Sequence, residues 1–132
     1  MNWLFDTDII IYQMKGVPSV ARRVEATLPA RRYITLITLG ELYFGVFRSR
    51  RVEANLRRYR RFLTTVKLLP FTPTVAERFG VIKASLANRG EMVADHDIWI
   101  AVHALVHGAV LVTNNERHYR RIPDLRIENW TA

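Results

Sequence analysis

Continuous apolar blocks, separated by amphipathic stretches, recur along this chain. The first block runs from Trp3 to Ile11 and is interrupted only by the polar triplet Asp6–Asp8. An apolar run without alternation is typical of a strand buried on both faces, as in a parallel sheet. An acid that follows such a strand lies where open α/β sheets bind their ligands. Because aspartate also commonly caps the next helix, Asp6 is predicted either to cap a helix or to bind something.

The rest of the pattern alternates further strands with helices. Strands are predicted at 32–37, 66–69, 109–113 and 126–128. Helices are predicted at 9–14, 20–28, 38–48, 52–63, 74–88 and 95–107, with a short turn or helix at 115–119. This alternation predicts an α/β fold with a mostly parallel sheet of about five strands, flanked by helices on both sides. With no linker or repeat in sight, we expect a single domain spanning 1–132.

Composition and charge narrow the class of protein. The 132 residues include no cysteine, which excludes disulfides and thiolate zinc sites. No apolar run approaches the roughly 20 residues that span a bilayer, and no basic segment precedes the first apolar one. We therefore expect a cytoplasmic protein without a membrane partner. The net charge of +8, carried mostly by arginine, favours a nucleic acid partner over a basic protein that binds no polyanion.

Three acids follow predicted strands or begin predicted helices: Asp6, Glu41 and Asp97. Singly, each has a structural explanation, since Thr38 with Glu41 has the spacing of a capping box and Asp97 lies in the first turn of a helix. Asp95 is the candidate N-cap of that helix. Together they should converge, because the carboxyl ends of parallel strands share one edge of the sheet. Convergent carboxylates repel unless a cation lies between them, and carboxylate oxygens suit Mg²⁺ or Mn²⁺. With the basic surface, this pattern predicts a metal-dependent nuclease.

Four segments resemble, in order and spacing, the motifs of the PIN-domain ribonucleases and, within them, the VapC-type toxins of toxin–antitoxin pairs. They are FDTDIIIY around Asp6, ITLGELYFG around Glu41, HDIWIAVHAL around Asp97, and LVTNNERHYRRIPDLRIENW further on. The resemblance implies a PIN fold, Mg²⁺- or Mn²⁺-dependent cleavage of RNA, a homodimer and inhibition by a cognate antitoxin. It also implies that Asp6 and Asp97 are the principal metal ligands and that Glu41 completes the catalytic site, directly or through water.

The motifs depart from the family pattern at two places. The first motif often has the sequence D-T-N, whereas Asp8 adds a charge here. A fourth acid is common at the position of Asn115 or of His118, and neither is an acid in this chain, although Glu116 lies between them. Whether one or two metal ions bind therefore stays open. His118 is either a ligand for a softer ion such as Mn²⁺ or, as we favour, a solvent-facing side chain.

Two functions other than a nuclease are compatible with parts of the sequence. The apolar-D-x-D segment suggests a HAD-type phosphatase, but Ile10 stands where that motif has threonine or valine, and no later lysine and acid pair can be placed. A non-catalytic module that binds RNA or a protein partner is the main alternative, because the fourth acid is missing.

Several other residues lie near these motifs. We expect His96, His103 and His107 to be surface or interface residues rather than zinc ligands, with His103 turned away from Asp97. The arginine cluster at 48–61 would bind RNA or an acidic partner, or would simply be a solvated helix face. The three aromatic residues near Glu41 would form a dimer or antitoxin surface, or would pack in the core, which we expect for at least two of them; they are Tyr43, Phe44 and Phe47.

Overall fold

The computed structural model describes residues 1–132 and contains one five-stranded sheet in which every neighbouring pair of strands is parallel. The strand order is β3-β2-β1-β4-β5. The strands are β1 (Trp3–Phe5), β2 (Arg32–Ile34), β3 (Lys67–Leu68), β4 (Val110–Val112) and β5 (Ile127–Glu128). The predicted α/β fold with about five strands is confirmed.

Seven α-helices connect these strands, with one 3-10 turn at Pro29–Arg31. The helices are α1 (Thr7–Met14), α2 (Pro18–Glu25), α3 (Leu36–Arg48), α4 (Val52–Leu63), α5 (Pro73–Asn88), α6 (Asp95–His107) and α7 (Glu116–Tyr119). None of them is both long enough and apolar enough to cross a membrane.

Two apolar cores lie on opposite faces of the sheet, because successive residues of a strand point to opposite sides. Leu4 and Leu111 belong to the core shared with α5 and α6. Phe5 and Val112, the next residues along β1 and β4, belong to the core shared with α1, α2 and α3. The two central strands are therefore buried on both faces, as their unbroken apolar sequences predict, and helices cover both sides of the sheet.

The boundary between β2 and α3 differs from the prediction. The strand ends at Ile34 and the helix begins at Leu36, so the predicted strand at 32–37 is too long. Thr35 is the N-cap, and its hydroxyl accepts a 3.1 Å hydrogen bond from the backbone N–H of Thr38. The predicted capping box of Thr38 and Glu41 is therefore wrong. β-branched residues on both sides of Thr35 conceal the boundary, since their side chains suit a strand.

Three expectations about individual side chains are also wrong. Ala94, and not Asp95, is the N-cap of α6, and Asp95 instead forms a 2.9 Å ion pair with Lys83. Phe44 and Phe47 are 64% and 59% exposed, so two of the three aromatic residues near Glu41 lie outside the core. His103 is fully buried rather than on the surface. These outcomes depend on which face of a helix meets a neighbour, and a motif of a few residues does not specify that face.

Candidate active site

Asp6 lies at the carboxyl end of β1 and is both a helix cap and part of a cleft. One carboxylate oxygen accepts a 2.9 Å hydrogen bond from the backbone N–H of Thr7, which caps α1. The other accepts a 2.8 Å hydrogen bond from the hydroxyl of Thr113, which follows β4. The side chain is almost fully buried. The two roles that the sequence left open, capping and site formation, are therefore not exclusive.

Glu41 and Asp97 reach the same place from two helices. Glu41, in the middle of α3, accepts a 2.6 Å hydrogen bond from the hydroxyl of Thr7. Asp97, in the first turn of α6, is buried and accepts a 3.1 Å hydrogen bond from the hydroxyl of Tyr119. His96 Nε2 lies 3.3 Å from Asp97 Oδ1 and 4.0 Å from Glu41 Oε2. Each acid is thus held by a hydroxyl or an imidazole from another part of the chain.

These acids line one open cleft at the carboxyl edge of the sheet. Its cavity volume is about 430 Å³, and only one of its nine lining residues is hydrophobic. The lining consists of Asp6, Thr7, Asp8, Ile11, Glu41, His96, Asp97, Asn114 and Asn115. The structure therefore brings together Asp6, Glu41 and Asp97 as the sequence predicts. It adds His96 and Asp8, which sequence reasoning did not place in the site.

Asp8 contributes a fourth carboxylate to the cleft. One of its oxygens accepts a 3.1 Å hydrogen bond from the backbone N–H of Asn114. The other oxygen, Oδ1, is buried and has no hydrogen-bond partner. An unpartnered buried carboxylate oxygen is unfavourable unless a cation or a donor approaches it. In the sequence, the additional charge of the D-T-D motif was the feature that could have indicated that Asp8 belongs to the site.

The acids of the cleft destabilise one another's charged forms. Burial and, to a smaller extent, the charge of Asp8 together raise the pKa of Asp6 to about 7, although the hydrogen bonds from Thr113 and Thr7 oppose the rise. Burial also raises the pKa of Asp8 and that of the Tyr119 hydroxyl. No lysine or arginine lines the cleft. The arrangement concentrates negative charge without a permanent positive side chain, and it therefore favours an external cation.

Comparison with known proteins shows the family. Residues 3–125 match the PIN domain. Ribonuclease VapC2 of Haemophilus influenzae is 36% identical over 131 residues, covering 98% of each chain. The chain belongs to the PIN-domain family and, within it, to the VapC ribonucleases. The tRNA(fMet)-specific endonuclease VapC of Salmonella typhimurium is also 36% identical, covering 98% of each chain. VapBC-1 from nontypeable Haemophilus influenzae superposes with a TM-score of 0.90, at 36% identity and 100% coverage of both chains.

No acid near Asn115 and His118 takes the place of the fourth acid that the resemblance led us to expect there. Glu116 is not among the residues that line the cleft; one of its oxygens accepts a 3.3 Å hydrogen bond from Asn129, and the other lies 3.7 Å from Arg120. His118 is exposed, and its Nδ1 lies 3.0 Å from the amide nitrogen of Asn115. Only Asn115 among these residues lines the cleft, and it offers an uncharged amide.

The donor set suits a hard divalent cation, but its geometry is not preformed. Carboxylate oxygens are the ligands that Mg²⁺ and Mn²⁺ prefer, and Asp8 supplies one buried oxygen without a partner. As the side chains stand, however, no group of three or more His, Asp or Glu residues could hold a metal ion together. An ion would therefore bind with rearrangement of these side chains, for which the openness of the cleft leaves room.

Proposed function

We propose that this protein is an Mg²⁺- or Mn²⁺-dependent endoribonuclease that acts as the toxin of a toxin–antitoxin pair and hydrolyses RNA phosphodiester bonds. The observation that carries the proposal is the meeting of Asp6, Asp8, Glu41 and Asp97 in one polar cleft of a protein with a net charge of +8. Membership of the VapC ribonucleases supports it. A surplus of acids in the cleft of a basic protein suits an enzyme that needs a cation to approach a polyanion.

The residues of the cleft have different roles in the proposed reaction. Asp6 and Asp97 are the principal metal ligands in this proposal, and Glu41 completes the set, directly or through water. The bound ion would lower the pKa of a water molecule and stabilise negative charge on the phosphoryl group. The hydroxyls of Thr113 and Tyr119 orient Asp6 and Asp97 through the hydrogen bonds that they donate. Such partners fix the rotamers of ligands and tune their basicity.

Partners follow from the same resemblance. The RNA substrate is implied by the ribonuclease names of the relatives, and the initiator tRNA that names the Salmonella relative is the first RNA to test. The match to VapBC-1 supports a cognate antitoxin protein as the inhibitor. We also propose a homodimer, which light scattering of the purified protein would test.

Cleavage by purified protein tests the proposal. Wild type should cleave tRNA with Mg²⁺ or Mn²⁺ and stop with chelator, and Asp97→Asn should lose at least about 100-fold of the rate, because one charged ligand is removed. The matched control is Asp95→Asn. Asp95 lies on the same helix, outside the cleft, with a side chain that is 59% exposed. Calorimetric titration with Mn²⁺ should show weaker binding for Asp97→Asn and unchanged binding for the control.

A second candidate, a non-catalytic module that binds RNA or a protein, is favoured by the absence of a preformed metal group. It would be supported if wild type bound RNA in a salt-sensitive manner but cleaved none with any divalent ion. Equal cleavage by wild type and Asp97→Asn would instead show that the activity has another origin.

A further inference from the structure

The acidic cleft continues into a groove that is lined by cations. Ile11 lines both the cleft and a second depression between α1, α3 and α4. Met14 and Arg58 line this second depression and a third one beside it. We call these two further depressions the basic groove. Its cationic side chains are Lys15, Arg58 and Arg61, all of them exposed.

The positive charges of the basic groove are not neutralised by the protein. None of the six ion pairs in the structure involves Lys15, Arg58 or Arg61. Arg58 is held in place by neutral acceptors, donating a 2.6 Å hydrogen bond to the carbonyl of Met14 and a 3.3 Å one to Asn55. Its remaining N–H groups are free to bind an anion.

The contact between Arg58 and Met14 also has a structural explanation. The carbonyl of Met14 is one of the last four of α1, which have no partner within their own helix. Capping this carbonyl accounts for one hydrogen bond of Arg58. It does not account for Lys15 and Arg61, which complete the same groove and whose side chains make no hydrogen bond to the protein.

From these contacts we infer that the basic groove binds the phosphates of an RNA strand that continues from the acidic cleft. The inference rests on the proposed ribonuclease function and deepens it. Because four carboxylates repel a polyanion, cations beside the cleft should supply the affinity for the RNA strand beyond the phosphate at the proposed metal ion. Lys15 follows Asp8 by seven residues along α1, or roughly 10 Å at 1.5 Å per residue. The groove is therefore placed to hold phosphates beyond the one that is cleaved.

Binding of RNA without cleavage provides the test. Lys15→Gln and Arg58→Gln are each made in the Asp97→Asn protein, and their affinity for a mixed-sequence single-stranded RNA is measured by fluorescence anisotropy between 50 and 200 mM salt. Each should weaken binding by up to about fivefold, the scale of an exposed ionic contact. Each should also reduce the slope of log affinity against log salt by about 0.7. The control is Arg78→Gln, an exposed arginine of α5 that lines neither cleft nor groove and should change neither quantity.

Three outcomes can be distinguished: misfolding of a variant, failure of the proposed ribonuclease function, and failure of the inference about the basic groove. Thermal unfolding checks each variant, and if Arg58→Gln is destabilised then Lys15→Gln decides, because the Lys15 side chain makes no hydrogen bond or ion pair. Groove variants that bind RNA as the control does would overturn the inference, while cleavage by wild type would leave the proposed function intact. A protein that neither binds nor cleaves RNA would overturn both. Binding of polyglutamate is measured in the same way. If the groove variants lost polyglutamate binding but kept RNA binding, the groove would be a site for an acidic protein instead.

Discussion

Replacing Asp6 by asparagine should stabilise the metal-free protein at alkaline pH, although it removes a proposed ligand. Burial and the charge of Asp8 raise the pKa of Asp6 from 3.8 to about 7. The folded protein therefore holds a proton that the unfolded chain releases between these values. Stability from this carboxyl is greatest at low pH and falls as the pH rises through that window. Above pH 7, the ionised Asp6 is a net cost to folding.

The size of this cost follows from the shift in the pKa of Asp6. About three pKa units correspond to about 4 kcal/mol at 1.36 kcal/mol per unit, and the near-complete burial of Asp6 means that solvent screens little of it. Asparagine would lose one of the two hydrogen bonds that the carboxylate accepts, at a cost of about 2 kcal/mol. The net gain at pH 8 is about 2 kcal/mol, or roughly 8 °C in Tm for a domain of this size. At pH 5, where the carboxyl costs only about 1.6 kcal/mol, the gain should vanish.

Thermal unfolding of wild type and Asp6→Asn in chelator at pH 5 and pH 8 measures this difference. Asp95→Asn should show no comparable gain, since its carboxylate lies at the surface beside Lys83. Adding Mg²⁺ at 100 times its Kd should raise the stability of wild type by about 2.7 kcal/mol and that of Asp6→Asn by much less. If Asp6→Asn proved less stable than wild type at pH 8 without metal, the account of repelling buried carboxylates would be wrong.

Two further predictions concern groups outside the set of proposed ligands. Thr7→Val keeps the size of the side chain but removes the 2.6 Å hydrogen bond to Glu41, and it should lower kcat by roughly tenfold with little change in KM. If steady-state kinetics showed an unchanged kcat, Thr7 would not position Glu41 for catalysis. His103 is buried, and its Nδ1 lies 2.7 Å from the carbonyl oxygen of Trp99, whereas its Nε2 has no partner. Burial lowers the pKa of His103 below the usual 6.5. Because the unfolded chain then binds this proton more readily, the stability of the protein should fall as the pH drops below about 6.5. Urea denaturation of His103→Phe should lack this fall, and identical pH profiles for the two proteins would contradict the role given to His103.

The arrangement of the elements could be predicted because the period of the apolar residues along a strand or helix shows how many of its faces are suited to burial. The unbroken apolar run of β1 required cover on both faces, and a parallel sheet with helices on both sides provides it. The acids then followed from topology, since residues after parallel strands share one edge. Asp6, Glu41 and Asp97 could therefore be placed at one edge of the sheet from the sequence, and they line one cleft in the structure.

Other features depended on contacts between residues far apart in the chain. The extra charge of Asp8 was visible in the sequence, but its unpartnered oxygen results from how Asn114 approaches it. His96 joined the site because α6 begins beside α3, and local spacing does not report the distance between two helices. The exposure of Phe44 and Phe47 was missed for the same reason, since hydrophobicity shows what a side chain prefers and not whether a neighbour covers it.

The sequence by itself determined the fold class, the order of the elements and the three acids that share an edge, because periodicity and strand polarity are local properties of the chain. Only the tertiary structure decided the pKa of Asp6, the partners of each carboxylate and the continuity of the acidic cleft with the basic groove. These depend on distances of a few ångströms between α1, α3, α4 and α6. Electrostatic and hydrogen-bond energies change steeply over such distances, and the order of residues along the chain does not encode them locally.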